Sequence, residues 1–447
     1  MRLVLAPALA FLALVAGAAA AQDACLSGAT VLEDQRQIAT LRAAAESTCP
    51  CAAAATANAW KRCTKSALNG ALAAGTLRQE CKKTMRALLK GSTCGSRRIA
   101  CGRVSRNGDP SCKLTRPNAC TSRKKFDATA CTAQTTCADV IDWSAGTCDD
   151  VRAPGPYAPG FQYVTIVKDS AASPGTPRVL QTAVWYPAVA GSGPIDPTTG
   201  GVPGAPADGS GGPYPVILFS HGSCGYETQS TFLTPLLASR GFVVIAPPHV
   251  GNTAREFPQC GLPAAQVASA QERPRDMIAA LDKLLVLNGS PGSALLGLVD
   301  GEHVGMMGHS FGGLTSYLVA NAEPRVDAAV ALAPAAGAAF RMPVPSLTML
   351  GAIDSVVSNP NARAAWASSV EPKWLVEVED AGHYAFSDLC FPSADCNPPT
   401  TRAQDEAHAL ALRYIVPFLE IYVAGNERFR PLLATPVPGV AYTQAAP

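Results

Sequence analysis

From about residue 161 onward, short apolar runs alternate with amphipathic stretches. Two β-rich segments, 161–168 and 178–186, come first. Apolar strands are predicted at 215–219, 242–246, 303–307, 327–332, 346–350 and 374–378, with helices near 228–239, 275–287, 312–321, 361–369 and 402–424. Apolar strands alternating with helices are typical of a mostly parallel sheet covered on both faces. This region is therefore predicted to be α/β.

The chain before residue 150 follows a different pattern. Stretches 29–47, 54–70 and 78–90 are rich in Ala, Leu, Lys and Arg and predict short helices, whereas 95–150 predicts mostly loops. A Pro- and Gly-rich segment at 153–160 is typical of a stiff linker. We therefore expect a small, partly helical module at 22–150, a linker at 151–160 and the α/β domain at 161–447.

Cysteine usage separates the two regions further. Twelve of the sixteen cysteines precede residue 150, at positions 25, 49, 51, 63, 81, 94, 101, 112, 120, 131, 137 and 148. Six disulfides are the simplest account, because too few large apolar residues are present to stabilise this module alone. Zinc is the competing interpretation, but Cys-x-x-Cys is not repeated and no histidine precedes His221. No metal is expected, and the pairing is left open.

The N-terminus predicts export. Arg2 precedes an apolar run from Leu3 to Val15, and small residues follow, as in a secretory signal peptide spanning 1–21. No later apolar run reaches the ~20 residues that a membrane-spanning helix needs. Cys25 lacks the preceding residues of a lipoprotein signal. The expected location is thus secreted or periplasmic, without a transmembrane segment.

The charge is unevenly distributed. The whole chain carries +2, but residues 22–150 hold 19 Lys and Arg against 11 Asp and Glu, a net charge of +8. Such a surface could hold the protein on an anionic polymer or a lipid surface. A solvated basic surface without a specific ligand is the plainer interpretation. A nucleic-acid partner is not expected.

A glycine-flanked serine follows the predicted strand at 303–307. The segment reads Gly308-His309-Ser310-Phe311-Gly312-Gly313, and a predicted helix begins directly after it. Strand, Gly-x-Ser-x-Gly and helix in this order are the context of a nucleophile elbow. Ser310 is therefore the candidate nucleophile.

A serine nucleophile needs a histidine base and a carboxylate that orients it. Asp354 follows the strand at 346–350, and His383 follows the strand at 374–378. The order Ser310, Asp354, His383 matches that of α/β-hydrolases. Asp380 and Asp388 are competing candidates for the acid.

Backbone amides must stabilise the anion that forms during acyl transfer. The amide of Phe311, directly after the serine, is one candidate. The turn Ser220-His221-Gly222-Ser223 follows the strand at 215–219 and offers a second. We assign the second donor to Ser223, with Gly222 as the alternative.

Several ordered segments resemble one family. They are Ala183 to Ala188, Ser220-His221-Gly222, Leu237 to Ile245, His249 to Thr253, Arg275-Asp276-Met277 and Gly308 to Gly313. Residues 161–424 thus resemble the α/β-hydrolase superfamily, in the group of platelet-activating-factor acetylhydrolases, predicted dienelactone hydrolases and cutinase-like polyester hydrolases. The resemblance implies a cofactor-free serine esterase using Ser310, Asp354 and His383.

The resemblance also shapes the expected cleft. Ser223 and Ala335 stand where polyester hydrolases of aromatic polymers carry aromatic residues, so an aromatic clamp is not expected. Tyr226 and Tyr384 are candidates to line the cleft, and His249 is expected to shape it. Because the nucleophile is serine rather than cysteine, a plain carboxylic ester is favoured over a dienelactone.

Four cysteines remain in the α/β domain. We expect Cys224 to pair with Cys260, which would tie the oxyanion turn to the next loop. Cys390 is expected to pair with Cys396 and close a loop beyond His383. Both bridges would stiffen the site in an oxidising compartment.

Three functions stay open. The first is an exported serine ester hydrolase acting on lipid-like or small carboxylic esters. The second is a cutinase-like polyester hydrolase whose basic module attaches to the substrate. The third is a non-catalytic envelope-binding protein with a vestigial hydrolase domain.

Overall fold

The structure is a computed structural model. It describes residues 48–106, 110–131, 151–390, 401–434, 437 and 439–445, preceded by residues 24, 25, 34, 37, 38, 41, 44 and 45. The chain divides into two compact units, Met1–Lys90 and Gly91–Pro447.

The first unit is helical, as predicted. Helices α1 (Ala57–Ala73) and α2 (Lys82–Lys90) follow described helical residues between 34 and 48. Thr56 caps α1, because its side chain accepts a hydrogen bond from the Ala59 amide. The core is small and contains Leu68, Leu77 and Met85. Other stabilisation is therefore needed.

Disulfides supply that stabilisation. The ten cysteines that the structure describes between residues 25 and 131 are all disulfide-bonded. Three bridges join Cys25 to Cys81, Cys49 to Cys63, and Cys101 to Cys120. The expectation of a disulfide-rich front region is confirmed. Cys137 and Cys148 lie outside the described residues.

Residues 99–131 form a sheet, which corrects the expectation of loops. Strand β1 (Ile99–Ser105) pairs antiparallel with β2 (Pro110–Thr115) on one side and β3 (Phe126–Cys131) on the other. Two buried members of its small core are Ala100 and Cys131. A strand with so few large apolar residues lacks the alternation on which sequence-based prediction depends. This sheet lies in the second unit.

A ten-stranded sheet forms the centre of the second unit. Its strands are β4 (Ala158–Asp169), β5 (Pro177–Ala188), β6 (Val202–Pro203), β7 (Tyr214–Ser220), β8 (Val243–Ala246), β9 (Val299–His309), β10 (Val326–Leu332), β11 (Ser346–Gly351), β12 (Lys373–Val378) and β13 (Val440–Ala445). Their order is β13-β12-β11-β10-β9-β7-β8-β5-β4-β6. The six strands from β12 to β8 are parallel, whereas β13, β5 and β4 pair antiparallel with their inner neighbours.

Helices cover both faces of this sheet. They are α3 (Thr234–Ser239), α4 (Pro263–Gly289), α5 (Phe311–Ala322), α6 (Asn359–Ser368), α7 (Gln404–Tyr422) and α8 (Arg430–Leu433). On β7, Ile217 and Phe219 join a core that includes residues of α3, α7 and α8. Val216 and Leu218 point to the opposite core, with residues of α4 and α5. The predicted α/β-hydrolase architecture, a mostly parallel sheet between helices, is confirmed.

Two helices differ from their predicted bounds. Helix α4 begins at Pro263 rather than near residue 275, because proline is well tolerated in a first helical turn. The helix predicted near 228–239 forms only at Thr234–Ser239. Ahead of it, the side chain of Gln229 and the backbone of Thr231 bond to other loops instead. Those residues belong to the loops around the candidate site.

The predicted signal peptide, residues 1–21, lies outside the described residues. Among the described helices, none combines the length and apolar character needed to cross a bilayer. The predicted location stays a prediction.

Candidate active site

The parallel strands bring their carboxyl ends to one edge of the sheet. Strands β7, β9, β11 and β12 end at Ser220, His309, Gly351 and Val378. In open α/β sheets this edge is where ligands bind. The sequence-predicted residues Ser223, Ser310, Asp354 and His383 all lie in the turns that follow these strands.

Ser310 occupies a strained turn between β9 and α5. Its backbone angles are φ 58 and ψ −116, a region that residues other than glycine rarely adopt. A Cβ on Gly308 would lie 2.3 Å from the Gly312 carbonyl oxygen, and a Cβ on Gly312 would lie 1.9 Å from the Ser220 carbonyl oxygen. Only hydrogen fits at both positions, so the two glycines permit the sharp turn.

His383 and Asp354 form a buried pair. The distance from His383 Nδ1 to Asp354 Oδ2 is 2.8 Å, and the side chains are 2% and 0% exposed. Asp354 Oδ1 accepts hydrogen bonds from the amides of Val356 and Val357 at 2.8 and 2.9 Å. The carboxylate is thus held with one oxygen facing the imidazole. Nε2 is then the ring nitrogen that does not face Asp354.

Of the two competing acids, Asp388 is engaged by other residues and Asp380 faces solvent. The Asp388 carboxylate accepts hydrogen bonds from Thr231 and from the Phe232 amide. Asp380 is exposed, with φ 54. Among the described residues, Asp354 is the carboxylate that contacts His383 Nδ1.

His309 connects the elbow to the histidine turn. Its Nε2 donates to the His383 carbonyl at 3.0 Å, and the two imidazole centroids are 4.7 Å apart. Gln229 Nε2 donates to His309 Nδ1 at 3.2 Å, while Gln229 Oε1 accepts from the Gly222 amide. Burial, assisted by His383, lowers the pKa of His309 to about 3. A neutral His309 therefore links residues near Ser310, His383 and the oxyanion turn.

The turn from Ser220 to Ser223, the candidate for the second oxyanion donor, approaches the elbow closely. A Cβ on Gly222 would lie 3.4 Å from Ser310 Cβ. Phe311 is the first residue of α5, where helical amides are free of intrahelical partners. Ser223 and Ala335 are exposed. Two small residues thus stand near the serine, at the positions where no aromatic clamp was expected.

The predicted cleft residues fall into two groups. Tyr226 and Tyr384 are half-buried, and the Tyr384 ring lies edge-on to His383 with centroids 5.4 Å apart. His249 is fully buried, and both of its ring nitrogens have protein partners. It therefore lies behind the cleft surface and does not line it, unlike the expectation from the sequence.

Cys224 and Cys260 form a disulfide, the pairing expected from the sequence. The bridge joins the oxyanion turn to the loop before α4. Cys390 is also disulfide-bonded. Its expected partner, Cys396, lies outside the described residues.

A buried polar cluster lies behind the candidate oxyanion turn, and His249 is its one member to which the sequence assigned a role. His249 Nε2 lies 2.9 Å from Ser220 Oγ, and His249 Nδ1 lies 2.9 Å from Asp276 Oδ2. Arg273 Nη1 donates to Ser220 Oγ at 3.2 Å. Arg178 donates to Asp276 with two nitrogens. We call Ser220, His249, Arg273 and Asp276 the buried cluster.

The electrostatics of the buried cluster follow from its burial. Burial, together with the nearby Arg273, lowers the pKa of His249 to about 3. Burial also lowers the pKa of Arg273 to about 9, which keeps the guanidinium charged at neutral pH. For Asp276, burial alone would raise the pKa, but hydrogen bonds from His249 and Arg178 outweigh it and lower the value. The imidazole is neutral between two charged groups.

Comparison with known proteins agrees with this geometry. Residues 198–391 match the family model described as PET hydrolase-like. The chain is 31% identical over 160 residues to the bis(hydroxyethyl) terephthalate hydrolase of Streptomyces coelicolor, covering 36% of this chain and 44% of that protein. It is 29% identical over 177 residues to the cutinase est2 of Thermobifida alba, covering 38% and 53%. The chain thus spans about half the length of these curated relatives.

A solved structure extends the likeness to more of the chain. The ferulic acid esterase of Streptomyces cinnamoneus matches with a TM-score of 0.51 and 26% identity, covering 66% of this chain and 99% of that one. The fold and the strained serine turn define the second unit as an α/β-hydrolase. Residues 198–391 are similar to the polyester-hydrolase group of that superfamily, which confirms the resemblance seen in the sequence.

Proposed function

We propose that this protein is a serine carboxylic-ester hydrolase. The observation that carries the proposal is the strained Ser310 turn beside the buried His383–Asp354 pair. Its similarity to ester hydrolases over residues 198–391 supports the same reaction class.

The reaction proceeds in two halves. Ser310 Oγ attacks the ester carbonyl carbon while His383 Nε2 takes the hydroxyl proton, and Asp354 stabilises the resulting imidazolium. The amides of Phe311 and Ser223 donate to the tetrahedral oxyanion. The alcohol leaves with the proton from His383. Water, activated by the same imidazole, then attacks the acyl-enzyme and releases the acid.

We propose lipid-like or small carboxylic esters as the substrate class. The relatives are named for a terephthalate ester and for cutin, so a polyester is the alternative. Ser223 and Ala335 leave the cleft without aromatic side chains at these positions, which favours flexible acyl chains over rigid aromatic ones. Activity on an ester panel of graded chain length and on bis(hydroxyethyl) terephthalate would separate these substrates.

Export to an oxidising compartment, secreted or periplasmic, is part of the proposal. The disulfide-bonded cysteines support it, because such bonds persist outside the cytosol. Attachment of the basic front region to an anionic polymer or lipid surface stays a prediction.

Replacing Ser310 tests the central assignment. Ser310→Ala should abolish hydrolysis of a short-chain nitrophenyl ester, a loss of about 10⁶-fold, together with fluorophosphonate labelling. Ser316→Ala is the matched control, since its hydroxyl bonds only a carbonyl within the same helix. Unchanged hydrolysis by Ser310→Ala would refute the proposal, and a wild-type protein that takes no label would favour the non-catalytic alternative.

A further inference from the structure

Arg273 is a fully buried cation whose hydrogen bonds go to neutral groups. Its Nε donates to Ser269 Oγ, and its other nitrogens donate to Ser220 Oγ, the His221 and Gly222 carbonyls, and Asn252 Oδ1. A guanidinium has five N–H donors, and these five bonds use all of them. A buried charge is costly unless it is fully hydrogen-bonded. The arrangement therefore fixes the guanidinium in one orientation.

This guanidinium directs the Gly222 carbonyl inward. The oxygen accepts from Arg273 Nη2 at 3.1 Å, from His221 Nδ1 at 2.7 Å and from the Gly225 amide at 3.2 Å. In a planar trans peptide the N–H of the next residue points opposite to this carbonyl. The Ser223 N–H therefore points away from Arg273. No acceptor within the described part of the chain takes this hydrogen.

The remaining hydrogen bonds of the buried cluster have fixed directions. Since the imidazole is neutral, His249 donates from Nδ1 to Asp276 and accepts at Nε2 from the Ser220 hydroxyl. Ser220 therefore presents a lone pair to Arg273. The His249 amide donates to His221 Nε2, so the His221 proton is on Nδ1, facing Gly222.

Arg273 also contacts Phe311, the other residue whose amide is predicted to bind the oxyanion. Its guanidinium carbon lies 4.6 Å from the centroid of the Phe311 ring, a cation–π distance. One buried cation thus contacts Phe311 and the Gly222–Ser223 peptide, the two segments whose amides the proposed reaction requires.

We propose that Arg273, held by Asp276, His249 and Ser220, is a positioning residue that orients and polarises the Gly222–Ser223 peptide as an oxyanion donor. The inference rests on the proposed esterase function. The positive charge draws electron density toward the Gly222 carbonyl and so strengthens the Ser223 N–H as a donor. Arg273 itself contacts no substrate.

Transition-state binding is the quantity to measure. In Arg273→Met, kcat for a short-chain nitrophenyl ester should fall about 10- to 100-fold, somewhat less than the loss from deleting an oxyanion donor. KM should stay near the wild-type value, and the inhibition constant of a boronic acid, which forms a tetrahedral adduct with the serine, should rise in parallel. Arg273→Lys should recover part of kcat. Arg413→Met removes an equally buried arginine from α7 and should leave these constants unchanged.

A second variant covers the case in which Arg273→Met does not fold. Ser220→Ala removes one acceptor of Arg273 and should lower kcat about 10-fold, with the same parallel rise in the boronic acid constant. Ser239→Ala is its matched control, because Ser239 is also buried and its hydroxyl makes two hydrogen bonds away from the buried cluster. Equal kcat and inhibition constants for Ser220→Ala and Ser239→Ala would overturn the inference. Loss of activity in Ser310→Ala would leave the proposed function standing in that case.

Discussion

Two sets of Ser, His and Asp lie at the same edge of the sheet. In the buried cluster, His249 is within 2.9 Å of both Ser220 and Asp276, yet all three side chains are shielded from solvent. In the proposed triad, Ser310 sits at a strained elbow, and His383 is paired with Asp354. Hydrogen-bonded geometry alone therefore does not identify a nucleophile. The strained backbone and the partial exposure of Ser310 distinguish the proposed triad from the buried cluster.

The largest expected difference between the two sets is in kcat/KM after replacement of their histidines. His383→Ala removes the proposed base and should lower kcat/KM by about 10⁶-fold, as expected when a serine hydrolase loses its base. His249→Gln keeps a donor and an acceptor in the buried cluster and should lower kcat/KM by no more than about 100-fold. Steady-state kinetics on one nitrophenyl ester measures both. If His249→Gln were the more damaging variant while still folded, the roles of the sets would be reversed.

Replacing the aspartates should lower activity in the proposed triad and stability in the buried cluster. Asp354→Asn should lower kcat by about 10⁴-fold with little change in the free energy of unfolding, because the amide no longer stabilises the imidazolium. Asp276→Asn should mainly destabilise the fold, by up to about 3–5 kcal/mol, because it removes one of the two carboxylates that pair with Arg178 and Lys168 in a largely buried site, the other being Glu272.

Urea unfolding and ester hydrolysis measured on both variants provide the test. Glu377→Gln serves as a control, since Glu377 pairs with the more exposed Arg363. Such a surface pair contributes at most about 1 kcal/mol. A large loss of stability in Asp354→Asn without a loss of kcat would contradict the comparison.

The sequence predicted the proposed triad better than the buried cluster, for physical reasons. Ser310, Asp354 and His383 follow apolar strands, and strand periodicity shows which loops share an edge. The partners of Arg273 are carbonyl groups of a distant turn, which no residue pattern reveals. The segment 263–274 has Val267 as its one large apolar residue and contains Pro274, so it lacks the apolar stripe by which an amphipathic helix is recognised. In the front region, the strands near Cys101 lack the apolar alternation by which strands are recognised.

The smallest expected effect is a dependence of the free energy of unfolding on pH, which follows from the burial of neutral histidines. The pKa values of His221, His249 and His309 are all lowered by burial, the latter two to about 3. In the unfolded chain these groups titrate near 6.5. Between about pH 3 and 6.5 the unfolded state therefore binds more protons, so the free energy of unfolding falls as pH falls through this window. Above pH 6.5 the contribution is complete.

Each buried imidazole contributes a slope of up to about 1.4 kcal/mol per pH unit. Between about pH 6 and 4.5, aspartates stay ionised in both the folded and the unfolded state. Over this range, the free energy of unfolding of His249→Gln should change less steeply with pH than that of the wild type, by the contribution of one imidazole. His303→Gln is a control that should act in the opposite direction. Asp300 raises the pKa of the exposed His303, so protonation of His303 favours the folded state and its replacement should not flatten the slope. Urea unfolding across this range measures both slopes. An unchanged slope in His249→Gln would mean that His249 titrates alike in the folded and unfolded chain, and the buried cluster would then not depend on a neutral imidazole.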